Sequence, residues 1–378
     1  MAARLGVDVS PQAIHRRFTM ATATLLHHVL MASLTQVITA DPVAIPILHR
    51  FSSVRIHDST TIGLPDALTT SYRGCGNHGP VGTAGMKCGV QLDLLTGALC
   101  GIDLVDGRAA DHALPIQHAP MPAGSLRLAD LGFYNLTVLQ TIADAGSYWL
   151  SRIQTNSRVR LPGRPKQSIL DVVTALGTAD HWEGPVIIGT TVRIAARLLI
   201  QRVPAAVAAQ RRQRVADDAH VKRRPVPKNA LALCNWAIVI TNVPPDQLSL
   251  TEAMVVLKIR WQIELLFKLW KSHGQVDTWR TEKPARILCE IYAKLIGLIF
   301  QHWLLVVSTW DNPARSAVKA AKIVMTYAAE LAVAHRCPER FRSVVVSLVQ
   351  MVRRWARMNT RKKVPTTAQR LLALTATG

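Results

Sequence analysis

The stretch LKIRWQIELLFKLWK, residues 257–271, predicts an amphipathic helix with a line of charges along one face. At about 100° per helical residue, Arg260, Glu264 and Lys271 fall within roughly 40° of one another, so a carboxylate lies between two cations. A neighbouring apolar stripe would pack the helix on a core, and its members are Val256, Ile259, Ile263, Leu266 and Trp270. This face suits catalysis, but an Arg–Glu pair on a solvated helix is the alternative that the segment alone leaves open.

Signals for the start and the end of a helix flank this stretch. Ser249 and Glu252 have the spacing of a capping box, in which each side chain accepts a hydrogen bond from the other residue's backbone N–H. Gly274 follows where the helix would end, because glycine readily adopts the left-handed conformation of a C-terminal cap. The sequence therefore predicts one continuous helix between Ser249 and Gly274.

The composition is that of a globular and strongly basic protein. The chain has 378 residues, of which 49% are hydrophobic, enough for one large domain or two ordinary ones. Its formal net charge is +21, and Arg and Lys recur along the whole length rather than in one tail. Such a charge favours binding to a polyanion, and nucleic acid is the natural candidate.

Two features bear on where the protein works. The most apolar segment, residues 291–307, contains Lys294, Gln301 and His302, so it is typical of a buried helix, and the sequence shows no signal peptide. The six cysteines show no CxxC pair, which favours reduced thiols. We therefore expect a cytoplasmic protein that does not enter a membrane.

From residue 53 the apolar period changes to two, which indicates strands. Val54, Ile56 and Asp58 alternate on one side, so a carboxylate ends the inward face of the first strand. A buried carboxylate costs free energy unless it is paired or bound to a metal. A solvent-exposed strand end is the alternative at this position. Residues 86–94 and 97–104 then predict an antiparallel hairpin.

A second aspartate repeats this placement. In residues 125–130, apolar side chains and Asp130 share one face, and a helix at about 135–145 and a strand at 148–153 follow. With a short helix before Asp130, the order is three strands, a helix, a strand, a helix and a strand, which is that of a ribonuclease-H-like core. The predicted fold is α/β, a ribonuclease-H-like mixed sheet with a β-rich insertion and flanking N- and C-terminal helices.

The chain is expected to divide into five segments. They are an N-terminal helical segment (1–50), the first part of the core (51–160), a β-rich insertion (161–248), a catalytic helix that completes the core (249–280) and a C-terminal helical region (281–378). The strands of the insertion are predicted not to continue the core, and a polar, basic stretch at 205–228 interrupts them. That stretch either is solvated or faces phosphates.

Two strand-end aspartates and a helix-borne glutamate make three carboxylates that this topology would bring together. Carboxylate oxygens are the ligands that Mg²⁺ prefers, and two such ions about 4 Å apart can activate the attacking oxygen and stabilise the leaving oxygen of a phosphodiester. Arg260 and Lys271 would bind the flanking phosphates. The predicted site thus comprises Asp58, Asp130 and Glu264 as catalytic metal ligands and Arg260 and Lys271 as DNA contacts.

Across roughly residues 8–305 the chain resembles a DDE transposase of the insertion-sequence-four family. The motifs that carry the resemblance are DST at Asp58, QLDLLTGAL at 91–99, ADLGFY at 129–134 and RWQIELLFKLWKSHG at 260–274. The family signature Y-x2-R-x3-E-x6-K matches at Arg260, Glu264 and Lys271, whereas Leu257 stands in place of its tyrosine.

The resemblance implies cleavage at the ends of a DNA element, followed by attack of the freed 3′-hydroxyl in strand transfer. It implies two Mg²⁺ ions, for which Mn²⁺ can substitute, double-stranded DNA as the partner, a homodimer on that DNA, and action at the bacterial nucleoid. An N-terminal region shorter than is usual in the family is also expected. A nonspecific metal-dependent nuclease and an inactive, truncated relative that only binds DNA remain as alternatives.

Overall fold

The computed structural model of the chain describes residues 8–36, 38–75, 83–226, 228–279, 281–359 and 367–376. The chain divides into two compact units, each made of segments that are distant in sequence. The first unit comprises residues 1–49, 55–119 and 261–369, and the second unit comprises residues 50–54, 120–260 and 370–378.

Ten strands and thirteen α-helices are present in the described residues. The strands are β1 (Val54–Leu64), β2 (Ala84–Asp93), β3 (Leu99–Asp106), β4 (Leu126–Ala129), β5 (Tyr148–Arg152), β6 (Arg158–Arg160), β7 (Lys166–Ser168), β8 (His181–Ile188), β9 (Ile194–Arg202) and β10 (Trp236–Thr241). The helices are α1 (Pro11–Arg16), α2 (Met20–Leu34), α3 (Leu136–Asp144), α4 (Ile169–Ala175), α5 (Ala205–Val221), α6 (Lys228–Leu233), α7 (Leu250–Val256), α8 (Trp261–Ser272), α9 (Pro284–Thr309), α10 (Ala317–Thr326), α11 (Ala328–Ala334), α12 (Pro338–Trp355) and α13 (Thr367–Ala376).

The strands of the first unit form the predicted antiparallel arrangement, with β2 between β1 and β3. The turn between β2 and β3 needs glycine at position 97. Gly97 has a φ of +76°, and a Cβ there would lie 2.6 Å from the Trp310 ring. The Trp310 indole N–H in turn donates to the Leu94 carbonyl at 2.8 Å. The hairpin turn is thus held by a side chain from beyond α9, and the predicted strand and hairpin are confirmed.

Helix α9 is the central helix of the first unit. Near its C-terminal end, Leu304 and Leu305 belong to one apolar cluster with side chains of α10, α11 and α12, such as Ala320, Leu331 and Leu348. Among the described residues, α9 alone is long and apolar enough to span a membrane by length and composition. However, 61% of the most apolar stretch of this helix is buried in the protein. The predicted burial of this helix is therefore confirmed.

The second unit is built on one mixed sheet in the order β4-β5-β10-β9-β8-β6-β7. Strands β4 and β5 are parallel and joined by α3, whereas the other neighbours are antiparallel. Asn135 caps α3, since its side chain accepts from the backbone N–H groups of residues 137 and 138. Parallel and antiparallel strands with helices before and after them confirm the predicted α/β class, and the elements follow in the predicted ribonuclease-H-like order.

The strands after residue 160 continue the sheet, so the prediction that the strands of the insertion do not continue the core is wrong. Strand β10 pairs with β5 on one side and with β9 on the other, and it thereby extends the sheet that begins with β4. The polar stretch between β9 and β10 is also regular, because α5 covers 17 of its residues. Alanine, arginine and glutamine dominate α5, and all three have high helix propensity.

The predicted continuous helix is broken, and this expectation is also wrong. Ser249 and Glu252 form the predicted capping box at the start of α7, but a 3₁₀ turn at Leu257–Arg260 separates α7 from α8. A 3₁₀ turn rotates by about 120° per residue, so four such residues shift the helical phase by about 80°. Arg260 is therefore out of the helical register that placed it on the face of Glu264.

Candidate active site

Asp58 lies where β1 passes from core to surface. Ile56 and Ile62 are fully buried, whereas Asp58, Ser59 and Thr60 between them are half-buried. One carboxylate oxygen of Asp58 accepts from the backbone N–H of Ser59 at 2.8 Å, and a half-buried side chain remains within reach of solvent. The strand thus places a carboxylate on its accessible middle portion.

Polar contacts fasten β1 on both sides of Asp58. The buried Gln91 side chain donates from its amide nitrogen to Nε2 of His57 at 2.8 Å and accepts from Arg55 at 3.1 Å. On the other side, the Ser59 hydroxyl donates to Asp111 at 2.7 Å.

This buried polar group was missed by sequence reasoning. Gln91 is fully buried between apolar residues of β2, and His57 is 1% exposed. Buried polar side chains cost free energy unless they are hydrogen-bonded. A glutamine inside an apolar strand is therefore the sequence feature that indicates a buried hydrogen-bonding partner. The pair holds β1 against β2 in the register that sets Asp58 opposite Val90.

Glu264 lies in the first turn of α8, with its side chain on the exposed face of the helix. The opposite face packs in the core through Ile263, Leu266 and Trp270, which are at most 6% exposed. The predicted apolar stripe of α8 is confirmed, and it fixes the direction in which Glu264 projects.

Lys271 fastens α8 to β1 inside the first unit. Its ammonium group donates to the backbone carbonyl of Thr61 at 2.9 Å. Thr61 is three residues beyond Asp58 on the same strand, and Lys271 is two turns beyond Glu264 on the same helix. An ammonium group has three N–H donors, so this contact leaves two for other acceptors. The first unit therefore brings together the elements that carry Asp58, Glu264 and Lys271.

Asp130 and Arg260 belong to the second unit. Asp130 follows the last residue of β4 and begins a 3₁₀ turn at Leu131–Phe133. The Arg260 guanidinium lies 3.9 Å from an Asp130 carboxylate oxygen, at the long end of ion-pair distances. The Asp130 side chain is 46% exposed, so this contact is screened by solvent. Arg260 is thus close in space to the strand-end carboxylate of Asp130, and it is close to Glu264 in the sequence.

The predicted ligands are carboxylates, which are hard oxygen donors. Cys88, in contrast, is buried, and burial raises the pKa of its thiol to about 12, so it is a protonated apolar group. In the part of the chain that the structure describes, no three His, Cys, Asp or Glu side chains form a group that could hold a metal ion.

Comparison with known proteins gives one consistent family. The family described as "Transposase DDE domain" matches residues 49–300. The chain is similar to the transposase for insertion sequence element IS231F of Bacillus thuringiensis subsp. israelensis, with 27% identity over 312 residues, 78% of this chain. It is also similar to the transposase for insertion sequence element IS1151 of Clostridium perfringens, with 24% identity over 307 residues, 76% of this chain. The matches span 65% and 64% of those relatives, respectively.

Proposed function

The chain belongs to the transposase DDE domain family, which confirms the resemblance drawn from its motifs, and on that premise we propose that it is a DNA transposase that cuts the ends of its element and joins them to new DNA. The proposal rests on the family match and on the order of Asp58, Asp130 and Glu264 along the chain. A net charge of +21 supports double-stranded DNA as the substrate.

Asp58, Asp130 and Glu264 are the residues that would hold two Mg²⁺ ions, or Mn²⁺ in their place. When bound, the ions would activate the attacking oxygen and stabilise the leaving oxygen of the phosphodiester. The chain's own contribution is to direct the three carboxylates. For Glu264 the buried opposite face of α8 supplies this direction, and for Asp58 the hydrogen bond from the Ser59 backbone does.

Arg260 and Lys271 would bind the phosphates on either side of the scissile bond. A guanidinium can donate two parallel hydrogen bonds to one phosphate, and its 3.9 Å contact with Asp130 is weak enough to be exchanged for a phosphate. Lys271 would act as a point charge through the N–H donors that its bond to Thr61 leaves over.

The observation that carries the proposal most directly is the hydrogen bond from Lys271 to Thr61. It joins the helix of one proposed ligand, Glu264, to the strand of another, Asp58, and the lysine that makes it belongs to the same family signature as Glu264. Joining two element ends needs two active sites, so we propose a two-fold dimer on DNA. We further propose that the protein acts in the bacterial cytoplasm, at the nucleoid.

A second candidate is a relative that binds DNA without cutting it. It is favoured by the finding that the described residues hold no ready group of three metal-binding side chains. A cleavage assay separates the two candidates. A labelled duplex that carries the ends of the encoding element is incubated with the protein in Mg²⁺ or in a chelator.

Under the transposase proposal, the wild-type chain cuts only in Mg²⁺, and Asp58→Asn, Asp130→Asn and Glu264→Gln each abolish cutting while DNA binding is kept. Glu282→Gln is the matched control, because Glu282 is an exposed glutamate of the first unit outside the proposed site. Cutting by Glu264→Gln at the wild-type rate would refute the proposed role of Glu264. Absence of cutting by the wild-type chain, with DNA binding kept, would favour the second candidate.

A further inference from the structure

A second basic site lies in the second unit, in the part of the sheet beyond β9. Here a cavity of about 110 Å³ is lined by three cationic side chains, an aliphatic side chain, a threonine and a glycine, namely Arg160, Lys166, Arg193, Ile187, Thr190 and Gly189. No acidic residue lines it. We call this cavity the hairpin pocket, after the β6–β7 hairpin that supplies two of its cations.

Two of these cations oppose each other directly. Arg160 of β6 and Lys166 of β7 are cross-strand partners in the antiparallel hairpin. Side chains of directly opposed residues project from the same face of a sheet, and like charges in that position are destabilising. An arrangement that lowers the stability of a short hairpin requires a compensating interaction, and an anion bound between the two cations supplies one.

Local carboxylates do not supply that compensation. The sequence contains five cations and no acidic residue between positions 145 and 170. The next acidic residue, Asp171, is committed to a capping box with Ser168. Within the described ranges, neither Arg160, Lys166 nor Arg193 forms an ion pair with a carboxylate. The charge of the hairpin pocket is therefore not neutralised locally by the protein.

The third cation is directed to the pocket by a tight turn between β8 and β9. Gly189 has a φ of +97°, and a Cβ there would lie 1.9 Å from the carbonyl oxygen of Val192, so a larger residue would force the turn open. The turn folds Arg193 back on itself, since its Nε donates to the Thr190 carbonyl at 3.4 Å. A guanidinium has five N–H donors, so most of them are available to a ligand.

We propose that the hairpin pocket binds a phosphate group of the DNA backbone, at a contact separate from the carboxylates that perform cleavage. Phosphate oxygens accept hydrogen bonds from guanidinium and ammonium groups together, which the three cations provide. Strand β7 is the last strand of its sheet, and the basic residues of the β6–β7 hairpin extend from Arg158 to Lys166, beyond the pocket itself. A line of cations at a sheet edge suits a polymer of phosphates better than one small anion. This inference rests on the proposed function, because it takes DNA as the ligand.

The test compares three variants with the wild-type chain in duplex DNA binding between low and moderate salt. The double variant Arg160→Gln/Lys166→Gln removes the opposed cations, and Arg193→Gln removes the third cation from a different turn. The control, Arg340→Gln/Arg342→Gln, removes the same net charge from exposed positions of α12 in the first unit. Inorganic phosphate is the second probe, and its effect on the unfolding temperature is measured with each protein.

The double variant is expected to bind DNA about tenfold more weakly, and the log–log salt slope should become shallower by about 0.9, the value for one phosphate contact. Arg193→Gln should act in the same direction, and the control should leave the slope near that of the wild type. Without DNA, the double variant should unfold at the same or a higher temperature, because a like-charge pair has been removed. A merely structural role for the two cations predicts a lower temperature.

Unchanged DNA affinity and slope in both pocket variants would overturn the inference. So would stabilisation by inorganic phosphate that is lost in the variants while DNA binding is unaffected, because the ligand would then be a small free anion. If the double variant fails to fold, Arg193→Gln alone decides. The failures of the two proposals can be told apart. If the wild type cleaves DNA but the salt slopes of the pocket variants are unchanged, only the pocket proposal is overturned. If the salt slopes of the pocket variants are shallower but the wild type does not cleave, only the proposed transposase reaction is overturned.

Discussion

Replacing Lys271 by methionine should loosen α8 from β1, because the ammonium group that bonds to Thr61 is lost while the aliphatic stem is kept. The bond is 2.9 Å long and joins a charged donor to a neutral carbonyl. Hydrogen bonds to charged groups contribute about 1.5 to 3 kcal/mol, and the half-buried position of Lys271 points to the lower end of that range. We therefore expect Lys271→Met to lower the free energy of unfolding by about 1.5 kcal/mol, which is roughly tenfold in the unfolding equilibrium.

Lys268→Met is the matched control. Lys268 lies three residues earlier on α8 and is exposed. Its replacement by methionine therefore changes the charge and the helix propensity as much as Lys271→Met does, without breaking the bond to Thr61. Denaturant unfolding should show a lower midpoint for Lys271→Met only, and DNA cleavage and DNA affinity should both fall further for Lys271→Met than for the control. Equal unfolding midpoints for the two variants would refute the tether between α8 and β1.

Three further outcomes are expected. Gly97→Ala should destabilise the chain by about 1 to 3 kcal/mol in denaturant unfolding, because the added Cβ meets the Trp310 ring at 2.6 Å and the φ of +76° is strained for alanine; an unchanged midpoint would contradict the packing of this turn. Burial lowers the pKa of His302 to about 4, so the unfolded chain binds a proton that the folded chain does not. Stability should be fully present above about pH 6.5 and fall by up to about 3 kcal/mol as the pH drops toward 4. A His302→Gln variant should lack that part of the pH dependence, as measured by unfolding at a series of pH values. Affinity for duplex DNA should fall steeply with salt, with a log–log slope of about −0.9 per phosphate contact, and a flat dependence would mean that the charge of +21 serves another partner.

Local patterns in the sequence predict much of this fold. The alternation of Val54, Ile56 and Asp58 predicts β1, and the spacing of Ser249 and Glu252 predicts a capping box, because both depend on residues close in sequence. The buried stripe of α8 follows equally from helical period. These features could be predicted since each is decided within one or two turns of chain.

The features that could not be predicted depend on distant contacts. Neither proline nor glycine occurs between Leu250 and Trp261, so residue type does not mark the 3₁₀ turn that separates α7 from α8. Strand β10 extends the sheet because it pairs with β5, about ninety residues earlier in the chain. The bond from Lys271 to Thr61 spans 210 positions, and no periodicity in the sequence can indicate it.

The candidate site shows the same division. The residue types and their order along the chain were predicted from motifs, and the identity of Asp58, Asp130 and Glu264 as metal ligands stays a prediction. The polar contacts around Asp58, through Gln91 and Asp111, were not predicted, because they join residues from three separate segments. In physical terms, each motif that supplies a predicted site residue is short and local in sequence, whereas the hydrogen bonds that hold the site in place join distant segments.

Shared metal binding by Asp58, Asp130 and Glu264 can be measured by replacing Mg²⁺ with Fe²⁺ and generating hydroxyl radicals at the bound ion with ascorbate and peroxide. The radicals cut the polypeptide next to the metal, and the fragments are identified by mass spectrometry. We expect cuts within a few residues of positions 58, 130 and 264, which excess Mg²⁺ should suppress and which should be lost in Asp58→Asn but kept in Glu282→Gln. Cuts confined to other segments, or a pattern that Asp58→Asn leaves unchanged, would contradict shared metal binding.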